Sequence, residues 1–182
     1  MGEAICGAGK GYDPVVGLTL GTGIGGGIII NEKIYRGKFG LAGEIGHTII
    51  EKNGFACSCG KNGHLEAYAS GIAMTKIYQK ITGQKKDSLY VEEKFKKGEK
   101  NAIKTFKIMS EALACGILNI INTLDPEIIV LGGGLSKVRP LIIPAIKLAK
   151  EQSIGKKPNK TKIAISILKD DAAVLGADLL FN

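Results

Sequence analysis

The chain has 182 residues, 45% of them hydrophobic, with a formal charge of +8. That length suits one domain around one core. Its short, interrupted apolar runs exclude a signal peptide or a membrane span, and four cysteines suit a reducing cytoplasm rather than a disulfide scaffold. A basic balance admits nucleic acid, but the lysines gather in Lys85-Lys86, Lys94-Phe95-Lys96-Lys97 and Lys156-Lys157. They read as solvated faces and loops that also favour the approach of a nucleotide phosphate.

Val15 to Leu20 reads as a buried strand, followed by Gly21, Gly23, Gly25, Gly26 and Gly27. Glycines at this density let the backbone turn sharply and let an anion approach. Gly21-x-Gly23-x-x-Gly26 has the dinucleotide spacing, with Glu44 near the expected acid position. A dinucleotide site needs a helix directly after the glycines, whereas here Ile28-Ile29-Ile30, Asn31-Glu32 and Lys33-Ile34-Tyr35 read as strand, turn and strand. No Gly-Lys-Ser/Thr follows, which excludes a Walker loop. Two readings of the hairpin remain: a plain glycine-rich hairpin, or a phosphate cradle in which Thr22 offers a hydroxyl and backbone N–H groups.

Gly43-Glu44-Ile45-Gly46-His47 places a carboxylate and an imidazole three residues apart between glycines. Such a pair can hold vicinal hydroxyls, as in a sugar, or be a solvated Glu beside a structural His. Cys57-x-Cys59 and His64 then fall within eight residues, with Gly60 and Gly63 allowing a tight knuckle. With His47 they make two thiolates and two imidazoles, the donor set of a structural zinc site. A disulfide between Cys57 and Cys59 is strained at that spacing. Cys6 and Cys115 read as small buried residues.

Leu65 to Ile81 has helical spacing, with Gly83 as its stop. Asp87 to Lys97 is a short charged helix. A long helix runs from Asn101 to about Thr123, with Phe106, Met109, Leu113, Ile117, Ile120 and Leu124 in one apolar stripe, either core or dimer face. Asp125-Pro126 ends it. Glu127 to Leu131 is a buried strand that runs into Gly132-Gly133-Gly134, with a helix beginning near Ser136. This is a second nucleotide-friendly junction. Pro140 and Pro144 punctuate that helix, Ser153–Thr161 is a loop, Lys162 to Leu168 alternates as a strand, and Asp171 to Leu180 closes as a helix.

Leu20-Gly-Thr-Gly-Ile-Gly-Gly-Gly27, Gly37-x-x-Gly-Leu-Ala-Gly-Glu-Ile-Gly-His47 and Cys57-x-Cys-Gly-x-x-Gly-x-x-Glu66 together resemble the ROK family (repressors, open reading frames and sugar kinases), especially its glucokinase-like members. The resemblance runs from about Gly2 to the C-terminus. It implies an α/β domain of the actin-like ATPase, ribonuclease H-like class, a mixed sheet flanked by helices. By position it assigns Gly21, Thr22 and Gly23 to the phosphates of ATP, carried with Mg2+, and Gly132, Gly133 and Gly134 to the adenosine. Glu44, His47 and Glu66 are assigned to a hexose. Glucose is the family default, and kinases for N-acetylmannosamine, fructose or allose share the frame. His47, Cys57 and Cys59 are assigned to structural zinc, with His64 standing where the family has a third cysteine.

The resemblance also implies a homodimer and an N-terminal phosphate-binding and catalytic domain carrying D-x-G-G-T and E-N-D. Neither string occurs here, so the chain is expected to be a C-terminal half, inactive by itself, whose residues include no catalytic aspartate. Asp13, Asp125, Asp170 and Asp171 all lie away from the matching position. The alternative is the sugar-sensing domain of a ROK regulator, with DNA as a partner only if a helix-turn-helix lies upstream. A basic zinc module for nucleic acid leaves both glycine turns unexplained.

Overall fold

Five strands form one sheet in the order β3-β2-β1-β4-β5. They are β1 Val15–Leu20, β2 Ile24–Ile30, β3 Lys33–Ile34, β4 Ile128–Gly132 and β5 Lys162–Ile165. The computed structural model describes residues 1–154, 160–169 and 171–181. Strand β2 pairs antiparallel with β1 and β3, while β4 lies parallel to β1 and β5, so the sheet is mixed, as expected. The turn at Asn31-Glu32 holds both residues at positive φ, 51° and 60°, the backbone that matches the twist of a two-residue hairpin.

The helices are α1 Gly2–Ile5, α2 Glu66–Ala69, α3 Gly71–Thr82, α4 Ser88–Lys96, α5 Lys100–Leu124, α6 Arg139–Gln152 and α7 Asp171–Phe181. Strand alternation sorts the core between the two faces. Val16, Leu18 and Leu20 of β1 and Ile129 and Leu131 of β4 face the large cluster under α3, α5 and α6. Val15, Ile29, Ile128 and Val130 face a smaller cluster with Ala4 of α1, and α7 packs on α1. In α5, Phe106, Met109, Leu113, Ile117 and Ile120 are buried inside the chain. That stripe is core, so it offers no free dimer face.

Several boundaries differ from the sequence reading. Leu65 to Ile81 is two helices, broken at Ser70 (φ −96°, ψ 170°), whose hydroxyl caps Ala73 N–H at 3.1 Å. The break lets Gly71 N–H donate to Gly21 O at 2.8 Å, a tertiary contact that helical period cannot report. Gly134–Lys137 is a 3-10 turn and α6 begins only at Arg139, with Pro140 in its first turn, where a missing N–H costs nothing. The helix then runs through Pro144. Cys6 and Cys115 are exposed, not buried; on α5 the buried arc includes Leu113, Ala114 and Gly116 but misses Cys115. The loop reading at 153–161 and the Lys156-Lys157 pair lie partly or wholly outside the described residues, as does Asp170.

Strand β5 stops at Ile165, short of Leu168, because the chain turns there onto Glu3. Its Oε1 accepts from Ser166 Oγ at 2.6 Å and Leu168 N–H at 2.7 Å, and Oε2 accepts from Ala8 N–H at 2.8 Å. Burial works against the Glu3 charge, but the Ser166, Ala8 and Leu168 donors outweigh it and hold the carboxyl below its ordinary value. A depressed folded pKa adds stability that is complete above the unfolded value of about 4.3 and is lost as pH falls through the folded one. Glu3→Gln is therefore expected to lower the melting temperature at pH 7 and to flatten its decline below about pH 4. A variant whose acid limb tracks the parent would remove Glu3 from this role.

Candidate functional site: glycine turns and a Cys/His knuckle

Strands β1 and β4 are parallel neighbours, with Thr19 opposite Gly132. Their C-terminal ends therefore lie side by side, and each runs into one of the glycine turns. Gly133 sits at φ 80° and ψ 173°, and a Cβ there would overlap the backbone of Leu20. Only glycine lets the two turns approach this closely. Ligands of open α/β sheets bind at such strand ends. A cavity of about 960 Å³ opens here, lined by Gly21, Thr22 and Gly134, with Ile72, Leu89 and Arg139 among its walls. Gly132 and Gly133 line a second cavity of about 620 Å³, whose lining shares Gly134 with the first, with Gly17 and Ala172 of α7 among its walls.

The outer wall of the first cavity was not legible beforehand. Helix α4 read as a charged segment, yet it supplies Ser88, Leu89, Glu92, Phe95 and Lys96. Nothing in the sequence marked it: Leu89 and Ile72 are ordinary apolar helix residues, and only the structure shows them 74% and 44% exposed on the cavity wall.

Gly23 does not line either cavity; a Cβ there would collide with Glu66 Oε2. That oxygen accepts from Ile24 N–H at 2.9 Å, and Oε1 accepts from Ser58 Oγ at 2.9 Å. Burial opposes the charge of Glu66, but the Ile24 and Ser58 donors, the Cys57 thiol and the nearby His47 together hold its carboxyl below the ordinary value. Cys57 Sγ lies 3.7 Å from Oε1 and 3.8 Å from His47 Nδ1. The other nitrogen of His47, Nε2, faces Glu44 Oε2 at 3.8 Å. The structure thus brings Glu44, His47 and Glu66 around one knuckle.

Within that knuckle His47, Cys57, Cys59 and His64 each present one donor atom, all within 4.8 Å of one another. Cys59 Sγ is 3.2 Å from His64 Nδ1, which is 3.3 Å from His47 Nδ1. The edges of a tetrahedron with zinc bonds of ~2.0–2.3 Å run about 3.3–3.8 Å, which the two short separations and the 3.8 Å from Cys57 Sγ to His47 Nδ1 match, so the four donors could hold a metal ion. Two imidazole nitrogens facing each other at this distance need a shared proton or a cation between them. Burial pushes the Cys57 thiol above its ordinary value; the Cys59 backbone N–H works against the rise and the Cys59 thiol adds to it. Gly60 and Gly63 take the positive φ values, 84° and 79°, that the tight loop requires. Isolated bridges Ile49 to His64 and Ala56 to Asn62 hold its two arms together.

A mixed sheet with helices on both faces and paired glycine turns at adjacent strand ends defines a domain of the actin-like ATPase class. The chain belongs to the ROK family, whose profile matches residues 1–182. It is 39% identical over 150 residues to the N-acetylgalactosamine kinase AgaK of Shewanella sp. (strain ANA-3), covering 78% of this chain and 49% of that protein. A ROK family glucokinase from Streptomyces griseus, solved in complex with glucose and AMPPNP, superposes with a TM-score of 0.86 at 30% identity, covering 98% of this chain and 64% of that one. The xylose repressor of Bacillus subtilis (strain 168) is 33% identical over 180 residues, covering 96% of this chain and 46% of that protein. The chain thus spans about half the length of these two curated relatives. Among the described residues, no helix is long and apolar enough to cross a membrane.

Proposed function

We propose that this chain is the nucleotide- and sugar-binding half of an ATP-dependent hexose kinase. The observation that carries the reading is the carboxylate of Glu66, which spans from the glycine hairpin at Ile24 to the Cys/His knuckle. It sets a phosphate-friendly turn beside a cluster suited to hydroxyls. In this reading Gly21 and Thr22 hold the phosphates of ATP, which arrives with Mg2+, while Gly23 turns toward the Glu66 carboxylate instead, and Gly132, Gly133 and Gly134 lie against the adenosine. Glu44, His47 through Nε2, and Glu66 hold sugar hydroxyls. His47 through Nδ1, Cys57, Cys59 and His64 hold a structural zinc ion, which supplies rigidity and orients His47. A cytoplasmic homodimer follows from the resemblance alone.

Phosphoryl transfer depends on positioning, on neutralising charge and on a base that takes the hydroxyl proton. Asp13 and Asp125 precede β1 and β4, so they stand at the sheet edge opposite the glycine turns. Neither can serve as that base, and its loss costs roughly 10²–10⁴-fold. A second, N-terminal domain carrying the aspartate is therefore part of the proposal. The 182-residue chain by itself is expected to bind a hexose and to show no measurable phosphorylation of glucose by ATP. Glu44→Ala is expected to weaken sugar binding at least about tenfold, by the loss of charge-assisted hydrogen bonds. Calorimetric titration against a panel of hexoses, beside a coupled kinase assay, checks both. Robust phosphorylation by the isolated chain, or no affinity for any hexose, sinks the reading.

The xylose repressor relative supports a second reading, a sugar sensor in a ROK regulator. It predicts sugar binding with no affinity for ATP in the full-length protein, and DNA binding only through an upstream helix-turn-helix.

A further inference from the structure

The glycine hairpin is gripped from two sides. From α3, Gly71 N–H donates to Gly21 O at 2.8 Å and Ile72 N–H to Thr22 O at 3.4 Å. From the knuckle side, Glu66 Oε2 accepts from Ile24 N–H at 2.9 Å. The first grip belongs to the packed core, through the buried residues Ala73, Met74 and Ile77 of α3. The second depends on Glu66, whose other oxygen is held by Ser58 Oγ at 2.9 Å, the short contact, with the Cys57 thiol farther off at 3.7 Å. Ser58 lies between two of the metal-ligating candidates, Cys57 and Cys59, and no element of regular structure holds it. Its position is set by the loop of the knuckle, which an ion drawing both sulfurs and both imidazoles together would hold still. Gly23 completes the arrangement: without a Cβ, the carboxylate sits directly on the turn.

We propose that Ser58 and Glu66 form a relay that couples metal in the knuckle to the rigidity of the phosphate-facing turn at Gly21–Ile24. Ser58 is a positioning residue that acts through Glu66 on the Ile24 N–H. Removing the metal frees Ser58, loosens Glu66 and releases one side of the hairpin, while the α3 side stays closed. The inference rests on the metal site of the proposed function and is independent of the kinase chemistry.

Amide hydrogen exchange on the 182-residue chain tests it, with zinc bound and after removal by a chelator. In the unsubstituted chain, exchange at Ile24 is expected to quicken at least about tenfold on zinc removal, the equilibrium worth of one charge-assisted hydrogen bond. Leu113 and Ile117 in the core of α5 serve as controls and stay protected, which separates local release from unfolding. In Ser58→Ala, Ile24 is expected to exchange fast with zinc still bound at about one per chain, and chelation adds little. Ser58→Thr keeps the hydroxyl and restores the metal dependence, which a merely structural role for the side chain would not predict. Equal protection at Ile24 with and without zinc overturns the relay and leaves the metal site intact. So does an undiminished metal effect in Ser58→Ala. A chain that takes up no zinc overturns the relay and the metal site together. None of these three results is itself a measure of sugar affinity, which is titrated separately and on which the kinase reading stands.

Discussion

Cys57→Ser is expected to abolish zinc binding and to lower the melting temperature by roughly 10 °C, the effect of several kcal/mol in a domain of this size. Cys57 is the buried thiol of the knuckle, and its sulfur lies within reach of His47 Nδ1 and Glu66 Oε1. A hydroxyl in its place is a poor zinc ligand, and three donors close a structural site less well than four. Structural zinc contributes an apparent ~10–16 kcal/mol in peptides that have no other core. Here the clusters under α5 and on the opposite face hold most of the fold, so the loss is partial and the variant still folds. Elemental analysis of gently purified protein should give close to one zinc per chain before the substitution and almost none after it, with calorimetry recording the shift. His64→Cys, which restores the family's usual ligand, should keep the metal. A zinc-free parent, or a Cys57→Ser chain that keeps both its zinc and its melting temperature, would remove the knuckle as a metal site.

Gly133→Ala is expected to destabilise the chain by roughly 3 kcal/mol or more and to force the two glycine turns apart. The backbone at Gly133 lies in a region open essentially to glycine, which costs other residues about 1–3 kcal/mol. The added Cβ would also press on the carbonyl and amide of Leu20, atoms of a central strand that cannot move aside cheaply. Relief comes only by splaying the ends of β1 and β4, which separates the two glycine turns. Gly134→Ala makes the paired control. A Cβ there meets open space, and its φ lies outside the left-handed region, yet the residue lines the cavity. It should leave the urea midpoint nearly unchanged while weakening nucleotide binding. If Gly133→Ala is as stable as Gly134→Ala, the close approach of the turns is not what glycine provides at that position.

Much of the candidate site was legible in the order of residues because its parts are local. The Asn31-Glu32 hairpin, the Cys57 to His64 spacing and the α5 stripe each depend on contacts within a few residues, and period and spacing encode those directly. The break at Ser70 was hidden because the apolar period continues across it. What interrupts the helix is the hydrogen bond from Gly71 to Gly21, made by a segment far away in the chain. The boundary of β5 was hidden for the same reason, since its end is turned by Glu3. Cys115 was misjudged because a residue on a mostly buried helix can still fall in the exposed arc.

The sequence by itself determined the two glycine turns and a four-donor knuckle, because glycine conformational freedom and ligand chemistry belong to the residues themselves, and the class of domain came through the resemblance those motifs carry. Only the tertiary structure decided that the turns are neighbours, that α4 walls the cavity, and that Glu66 joins the hairpin to the knuckle. Those facts follow from strand order and from side chains meeting across long loops, which no local period carries.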